Sequence, residues 1–164
     1  MRLAGVDHGG RWFGIALSDP TGTFARPLDV CDGEADAVEF LRRLIADQEV
    51  GGIVLGLPRN MDGTLGPKAK EVLRFAAALS TRLAVPVRTW DERLTSREAQ
   101  QILHGAGLSA RQVRQRENQV AAQILLQSFL DAGGWGRPEP SVSEEPPAGA
   151  EEDEPEESDG DDAE

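Results

Sequence analysis

The chain has 164 residues, 39% of them hydrophobic, with 17 Lys+Arg against 29 Asp+Glu, a net charge of −12 and a single cysteine. That length allows one compact domain and little more. One cysteine excludes a disulfide framework and a Cys-based zinc cluster, no apolar run approaches the roughly 20 residues of a membrane span, and MRLAGVDHGG lacks the apolar stretch of a secretory leader, so a reduced cytoplasmic protein with no membrane partner is expected.

Arg2–Asp7 and Trp12–Ser18 are short apolar runs joined by His8-Gly9-Gly10-Arg11, which predicts a β-hairpin. Phe24–Val30 reads as a third strand, and Pro27 assigns it to an edge or irregular position. Residues 34–48 carry Val38, Leu41 and Ile45 at helical spacing. Gly52–Leu57 is a buried strand, Pro58–Gly66 a loop, and Pro67 opens a helix whose stripe is Val72, Phe75, Leu79 and Leu83. Val85–Trp90 is the next strand. Thr95 and Glu98 have capping-box spacing and start a helix that Gly105 and Gly107 end, and Ser109 caps a last helix running to about Asp131. Strands alternating with helices imply an α/β domain, residues 1–135, with a mixed sheet covered by helices. Residues 136–164 differ in kind: Pro138–Glu164 holds 13 acids, five prolines, no base and no aromatic residue, too little apolar surface to offset the entropy of ordering. A disordered acidic tail is expected. The remaining 16 acids and 17 bases leave the folded part nearly neutral, so a nucleic-acid partner is compatible with the low pI of about 4.6.

Three positions stand where chemistry can occur. Asp7 ends the first strand beside a glycine turn, at the carboxyl edge of the sheet where α/β proteins bind ligands. It can equally serve to stabilise that turn. Asp91 and Glu92 follow the strand ending at Trp90, and side-chain alternation lets only one of them share a site with Asp7. Asn118 continues the apolar stripe of Ala121, Ala122, Leu125 and Phe129, whereas Glu117 lies about 100° further round the helix. Carboxylates converging from two strand ends and a helix suit Mg²⁺ or Mn²⁺, and two such ions can support phosphodiester cleavage.

Gly5-Val6-Asp7-His8-Gly9 with Gly14-Ile15-Ala16-Leu17-Ser18-Asp19, then Gly56-Leu57-Pro58-Arg59-Asn60-Met61-Asp62-Gly63, Trp90-Asp91-Glu92-Arg93-Leu94-Thr95 and Ala121-Ala122-Gln123-Ile124-Leu125-Leu126-Gln127, occur in this order. Together they resemble the YqgF/RuvX family of Holliday-junction-resolvase-like proteins over about residues 2–131. The resemblance implies a ribonuclease H-like fold and a nuclease that matures the small-subunit rRNA precursor or processes branched DNA, with ribosome association and a homodimer as further expectations. It implies that Asp7 and Glu92 are catalytic metal ligands for Mg²⁺ or Mn²⁺, with Asp91 the lesser choice. The family's third carboxylate falls where this chain has Asn118, which offers one carbonyl oxygen and no charge. Three readings of that departure stay open: a site working with two acids, a contribution from another acid such as Glu98, or weakened catalysis. Arg11, Arg59, Asn60, Lys68, Arg93, Arg97 and Arg114, with Lys70, Arg111 and Arg116, are the candidate nucleic-acid track. Trp12 and Trp90 are expected mainly as core residues rather than base-stacking platforms, His8 either touches substrate or fills the turn, and His104 and Cys31 are structural.

Two other classes compete. Asp7-His8-Gly9 with the small Ala16 also looks like the first phosphate loop of actin-like ATPases and sugar kinases, but those enzymes clasp nucleotide between two such domains. A nucleic-acid-binding or ribosome-associated protein with decayed catalysis is the alternative that Asn118 motivates. The acidic tail either aids solubility or competes with nucleic acid for the basic face.

Overall fold

The computed structural model describes residues 1–94, 107 and 109–136. In chain order it contains β1 (Arg2–His8), β2 (Trp12–Ser18), β3 (Ala25–Asp32), α1 (Glu34–Gln48), β4 (Val50–Leu57), α2 (Pro67–Arg82), β5 (Val87–Asp91), a 3-10 turn (Glu92–Leu94) and α3 (Ala110–Asp131), followed by a 3-10 turn at Gly134–Gly136. The predicted helix from Thr95 and the acidic tail beyond residue 136 lie outside the described residues.

The five strands form one mixed sheet in the order β3-β2-β1-β4-β5. β1 and β2 are the predicted hairpin, with Val6 opposite Ile15 and Asp7 opposite Gly14. Gly9 N–H donates to the Trp12 carbonyl at 2.8 Å, and Gly10 adopts a φ of 87° that L side chains disfavour. β4 and β5 join β1 in parallel, each reached through a helix. β3 is an edge strand, and its register slips between Asp29 and Pro27, which lacks a ladder donor. It runs to Asp32, beyond the expected Val30, and β5 ends at Asp91 rather than Trp90.

Side-chain alternation builds two cores on the two faces. Ala4, Val6, Phe13, Ile15, Leu17, Ile53, Leu55 and Leu57 pack against Ala37, Val38 and Leu41 of α1 and Val72, Phe75 and Leu79 of α2. Leu3, Ala16 and Val54 pack on the opposite face against Ala122, Leu126 and Phe129 of α3. Pro67 occupies the first turn of α2, and Ser109 caps α3 in a reciprocal capping box with Gln112. Gln123 and Gln127 tie α3 to the edge strand: Gln127 Oε1 accepts from Ala25 N–H at 2.8 Å, and Gln123 Nε2 donates to the Ala25 carbonyl at 3.2 Å.

Glycine sets how closely α3 approaches. A Cβ on Gly14 would overlap the backbone carbonyl of Asn118, and one on Gly5 would lie 2.7 Å from Leu126 Cβ. Gly14→Ala must therefore push helix backbone off the sheet, and it is expected to cost about 3 kcal/mol, the upper range of overpacking. A fall in the urea midpoint at unchanged slope checks this.

Candidate active site

Asp7 lies on the α3 face of β1, because Leu3 and Gly5 face α3 and alternation carries that side to residue 7. Its acidic partner arrives from two strands away. Adjacent strands stand about 4.8 Å apart, so β5 is roughly 10 Å from β1, with β4 between them. Gly56 on β4 sits between the two: Leu55 pairs with Val6, and Gly56 pairs with Trp90. A Cβ there would overlap Glu92 Oε1 and lie 2.8 Å from the carboxyl carbon. The Glu92 side chain thus crosses β4 in the space that glycine leaves, and its carboxyl group hydrogen-bonds that of Asp7.

Two carboxyl groups so close cannot both ionise freely. Burial pushes Glu92 up, the Asp7 charge and their hydrogen bond add to it, and the group reaches about 8. Burial also raises Asp7, with the Glu92 hydrogen bond and the Lys68 charge opposing and Glu117 reinforcing. Near neutral pH the pair shares a proton, Glu92 donating to the Asp7 carboxylate. Asp91 is turned elsewhere. Arg93 grips it through Nε and Nη2 at 2.9 and 2.6 Å. Partial burial pushes the Asp91 carboxyl up, but that guanidinium outweighs it and holds the group below the ordinary range.

Lys68, in the first turn of α2, is the cation whose field reaches both members of the pair. Its ammonium lies 3.2 Å from His8 Nδ1, which also accepts from Gly10 N–H at 3.4 Å. Two donors at Nδ1 put the imidazole proton on Nε2, which faces Glu34 Oε1 at 3.7 Å, too long for a hydrogen bond. His8 is buried edge-on between Phe13 and Phe75, at 4.5 and 5.5 Å, and burial, then Lys68, lowers its pKa. It fills the turn and orients Lys68.

Asn118 does not join the carboxyl pair through any described hydrogen bond. Its backbone carbonyl presses on Gly14, and its Oδ1 lies 3.1 Å from a Cβ built on Gly9, at the hairpin turn. The charge of Glu117, the preceding residue of α3, also acts on Asp7. Helical spacing alone did not give the height at which α3 crosses β1; the run of small residues at Gly5, Gly14 and Ala122 was the available signal.

The other expected track residues make local contacts. Arg59 Nη1 donates to the Gly63 carbonyl at 3.3 Å, and Asn60 Nδ2 to Thr64 Oγ1 at 2.9 Å, so both knit the loop before α2. Arg93 reaches the same loop, within 3.8 Å of a Cβ built on Gly63. Arg11 pairs with Asp32 at 2.9 and 3.1 Å. Arg97 and the side chain of Arg114 lie outside the described residues. Trp90 is packed as expected, its Nε1–H donating to Ser128 Oγ at 3.1 Å and its ring edge-on to Phe129. Trp12 is not a core residue: it is 42% exposed, the first residue of β2 and the exposed one of that strand. Cys31 is buried and its thiol is pushed up to about 11, chiefly by burial, in keeping with a structural role.

Among the described residues no three His, Cys, Asp or Glu side chains form a metal-binding group. The donor set nonetheless fits a divalent cation. Asp7 and Glu92 supply hard oxygen ligands that repel each other without a counter-charge, and a cation would take the place of the shared proton.

A mixed five-stranded sheet in the order β3-β2-β1-β4-β5, covered by helices, is a ribonuclease H-like fold. The fold aligns with Thermus thermophilus RuvC bound to a Holliday junction substrate at a TM-score of 0.53 and 16% identity, over 81% of this chain and 95% of that one. It also aligns with the fowlpox virus resolvase bound to junction DNA at 0.51 and 10% identity, over 80% of this chain and 98% of that one. Residues 1–132 match the family model RuvX, Holliday junction resolvase, and the chain belongs to that family. A candidate pre-16S rRNA nuclease of Pelotomaculum thermopropionicum is 44% identical, over 93% of this chain and 99% of the relative. One of Syntrophomonas wolfei is 42% identical, over 84% and 99%. The family and these relatives make the chain a nuclease by class. Among the described residues, no helix is long and apolar enough to cross a membrane.

Proposed function

We propose that the protein hydrolyses phosphodiester bonds in structured nucleic acid with Mg²⁺ or Mn²⁺, in the cytoplasm, and that its substrate is the small-subunit rRNA precursor at its 5′ end, with branched DNA as the second candidate. The observation that carries this is the carboxyl pair of Asp7 and Glu92, half-buried and held together across Gly56. A bound divalent cation would be held by these oxygens and would supply Lewis-acid stabilisation of charge at phosphorus. The residues of the chain do the rest. Asp7 and Glu92 fix the cation's position from two different strands. Lys68, held by His8, brings positive charge to the same place and draws the phosphate in. Glu117 adds negative charge from α3 without joining the pair. Arg59 and Arg93 line the approach and exchange their internal partners for phosphates, which makes binding salt-dependent.

The test is cleavage of a labelled small-subunit rRNA precursor fragment and a four-way DNA junction with Mn²⁺, Mg²⁺ or EDTA. Cutting is expected with metal, absent in EDTA, and lost in Asp7→Asn at unchanged thermal stability. Cutting that survives Asp7→Asn overturns the assignment. The competing reading, a binding protein with weakened catalysis, rests on Asn118. It is favoured if neither substrate is cut by the native chain and Asn118→Asp gains metal-dependent cleavage.

A further inference from the structure

We infer that Trp12 is a stacking platform for an unpaired nucleobase beside the scissile phosphodiester, because it stands exposed on the same sheet face as the Asp7–Glu92 pair and diagonal to Asp7. This rests on the nuclease reading above and adds a substrate requirement to it. Asp7 pairs directly with Gly14, and Trp12 is two residues along the same strand on the same side. Diagonal neighbours of this kind lie about 7–8 Å apart at Cα, a reach that one nucleotide covers between its phosphate and its base.

The three tryptophans differ in how they are held. Trp90 is hydrogen-bonded to Ser128 and packed on Phe129; Trp135 packs on Phe129 and lies under Arg88 at 4.4 Å. Trp12 alone is exposed, at 42%. Its brace is the Arg11 guanidinium, 4.7 Å from the ring centroid and itself fixed by the two contacts to Asp32. A partly exposed ring steadied by a cation is pre-ordered for a second flat partner, and every base has a π-face to offer. The base must leave its duplex to reach the ring, so the substrate class is nucleic acid with an unpaired or splayed nucleotide at the cleavage point, rather than continuous duplex.

The experiment titrates a short single-stranded oligouridylate, and the same oligomer made of abasic sugar-phosphate units, into the full chain in EDTA while tryptophan emission and affinity are followed. The expected result is quenching by oligouridylate that disappears in Trp12→Phe, and an affinity about tenfold weaker in Trp12→Ala, within the range that base stacking supplies. The abasic oligomer should bind the native chain and Trp12→Ala alike. Quenching retained in Trp12→Phe together with native affinity in Trp12→Ala overturns the inference, as does the absence of any binding of oligouridylate by the native chain. Asp7→Asn separates it from the nuclease reading: that variant should still bind and be quenched while failing to cut. If Asp7→Asn cuts, the active-site assignment falls while the quenching result still decides the role of Trp12.

Discussion

Gly56→Ala is expected to abolish cleavage as completely as Glu92→Gln does, a loss of at least about 100-fold, while leaving the fold intact. The reason is local. The added methyl would occupy the position of Glu92 Oε1 and crowd its carboxyl carbon, so the carboxyl group must leave Asp7. What moves is the free end of a flexible side chain, and the strand itself need not shift. Losing the contact costs that hydrogen bond but frees Glu92 from the burial and the Asp7 charge that hold its carboxyl group up. Gly14→Ala is the control with the opposite signature, because there the obstacle is the Asn118 backbone and the helix must yield. Measuring cleavage and urea stability of both variants separates the effects. Gly56→Ala should lose activity with stability within about 1 kcal/mol of the native chain. If it retains native cleavage, Glu92 does not need to reach Asp7, and the site as described is wrong.

Much of this arrangement was legible in the sequence, and the part that was not has a physical reason. The hairpin, the helix at 34–48, the Pro67 start and the Ser109 cap are local signals, set by glycine turns, apolar period and capping chemistry, and they stand where those signals put them. Asp7 could be placed at the carboxyl edge of the sheet for the same reason. The crossing of Glu92 over Gly56 could not, because it depends on strand order, and the order β1-β4-β5 brings together residues 7, 56 and 92 through pairings that no local window contains. Side-chain alternation left Asp91 and Glu92 as alternatives and the resemblance favoured Glu92; Arg93 grips Asp91 and turns it away. Trp12 misled the core reading because its strand is apolar throughout. It is the first residue of β2 and stands exposed where the other six are buried, which apolar character alone does not reveal.

The Asp7–Glu92 pair is expected to take stability from the metal-free protein as pH rises from about 4.5 to about 8. Glu92 binds its proton more tightly folded than unfolded, with about 8 against the ordinary 4.5. Below 4.5 both states are protonated and the pair carries no penalty. Between the two values the unfolded chain releases the proton and the folded chain keeps it, so unfolding gains with each step of pH; above 8 the penalty is complete. Its size is about 2–4 kcal/mol once partial solvent access is allowed for. Asp19, Asp91 and the buried His8, whose pKa is lowered by burial, work in the opposite direction. The two carboxyls are held low, Asp19 first by the Thr21 hydroxyl and Asp91 by Arg93 against its burial, and their contribution is present at neutral pH and lost in acid. These terms are common to the native chain and Glu92→Gln, so the difference between the two stability curves isolates the pair. Glu92→Gln should match the native chain near pH 4 and exceed it near pH 8. Saturating Mg²⁺ or Mn²⁺ should restore the native chain at pH 8 and do little at pH 4, because the cation competes with the proton for the same oxygens. Urea titrations across this range check it, and parallel curves for the two proteins with no effect of metal would show that Asp7 and Glu92 neither share a proton nor bind a cation.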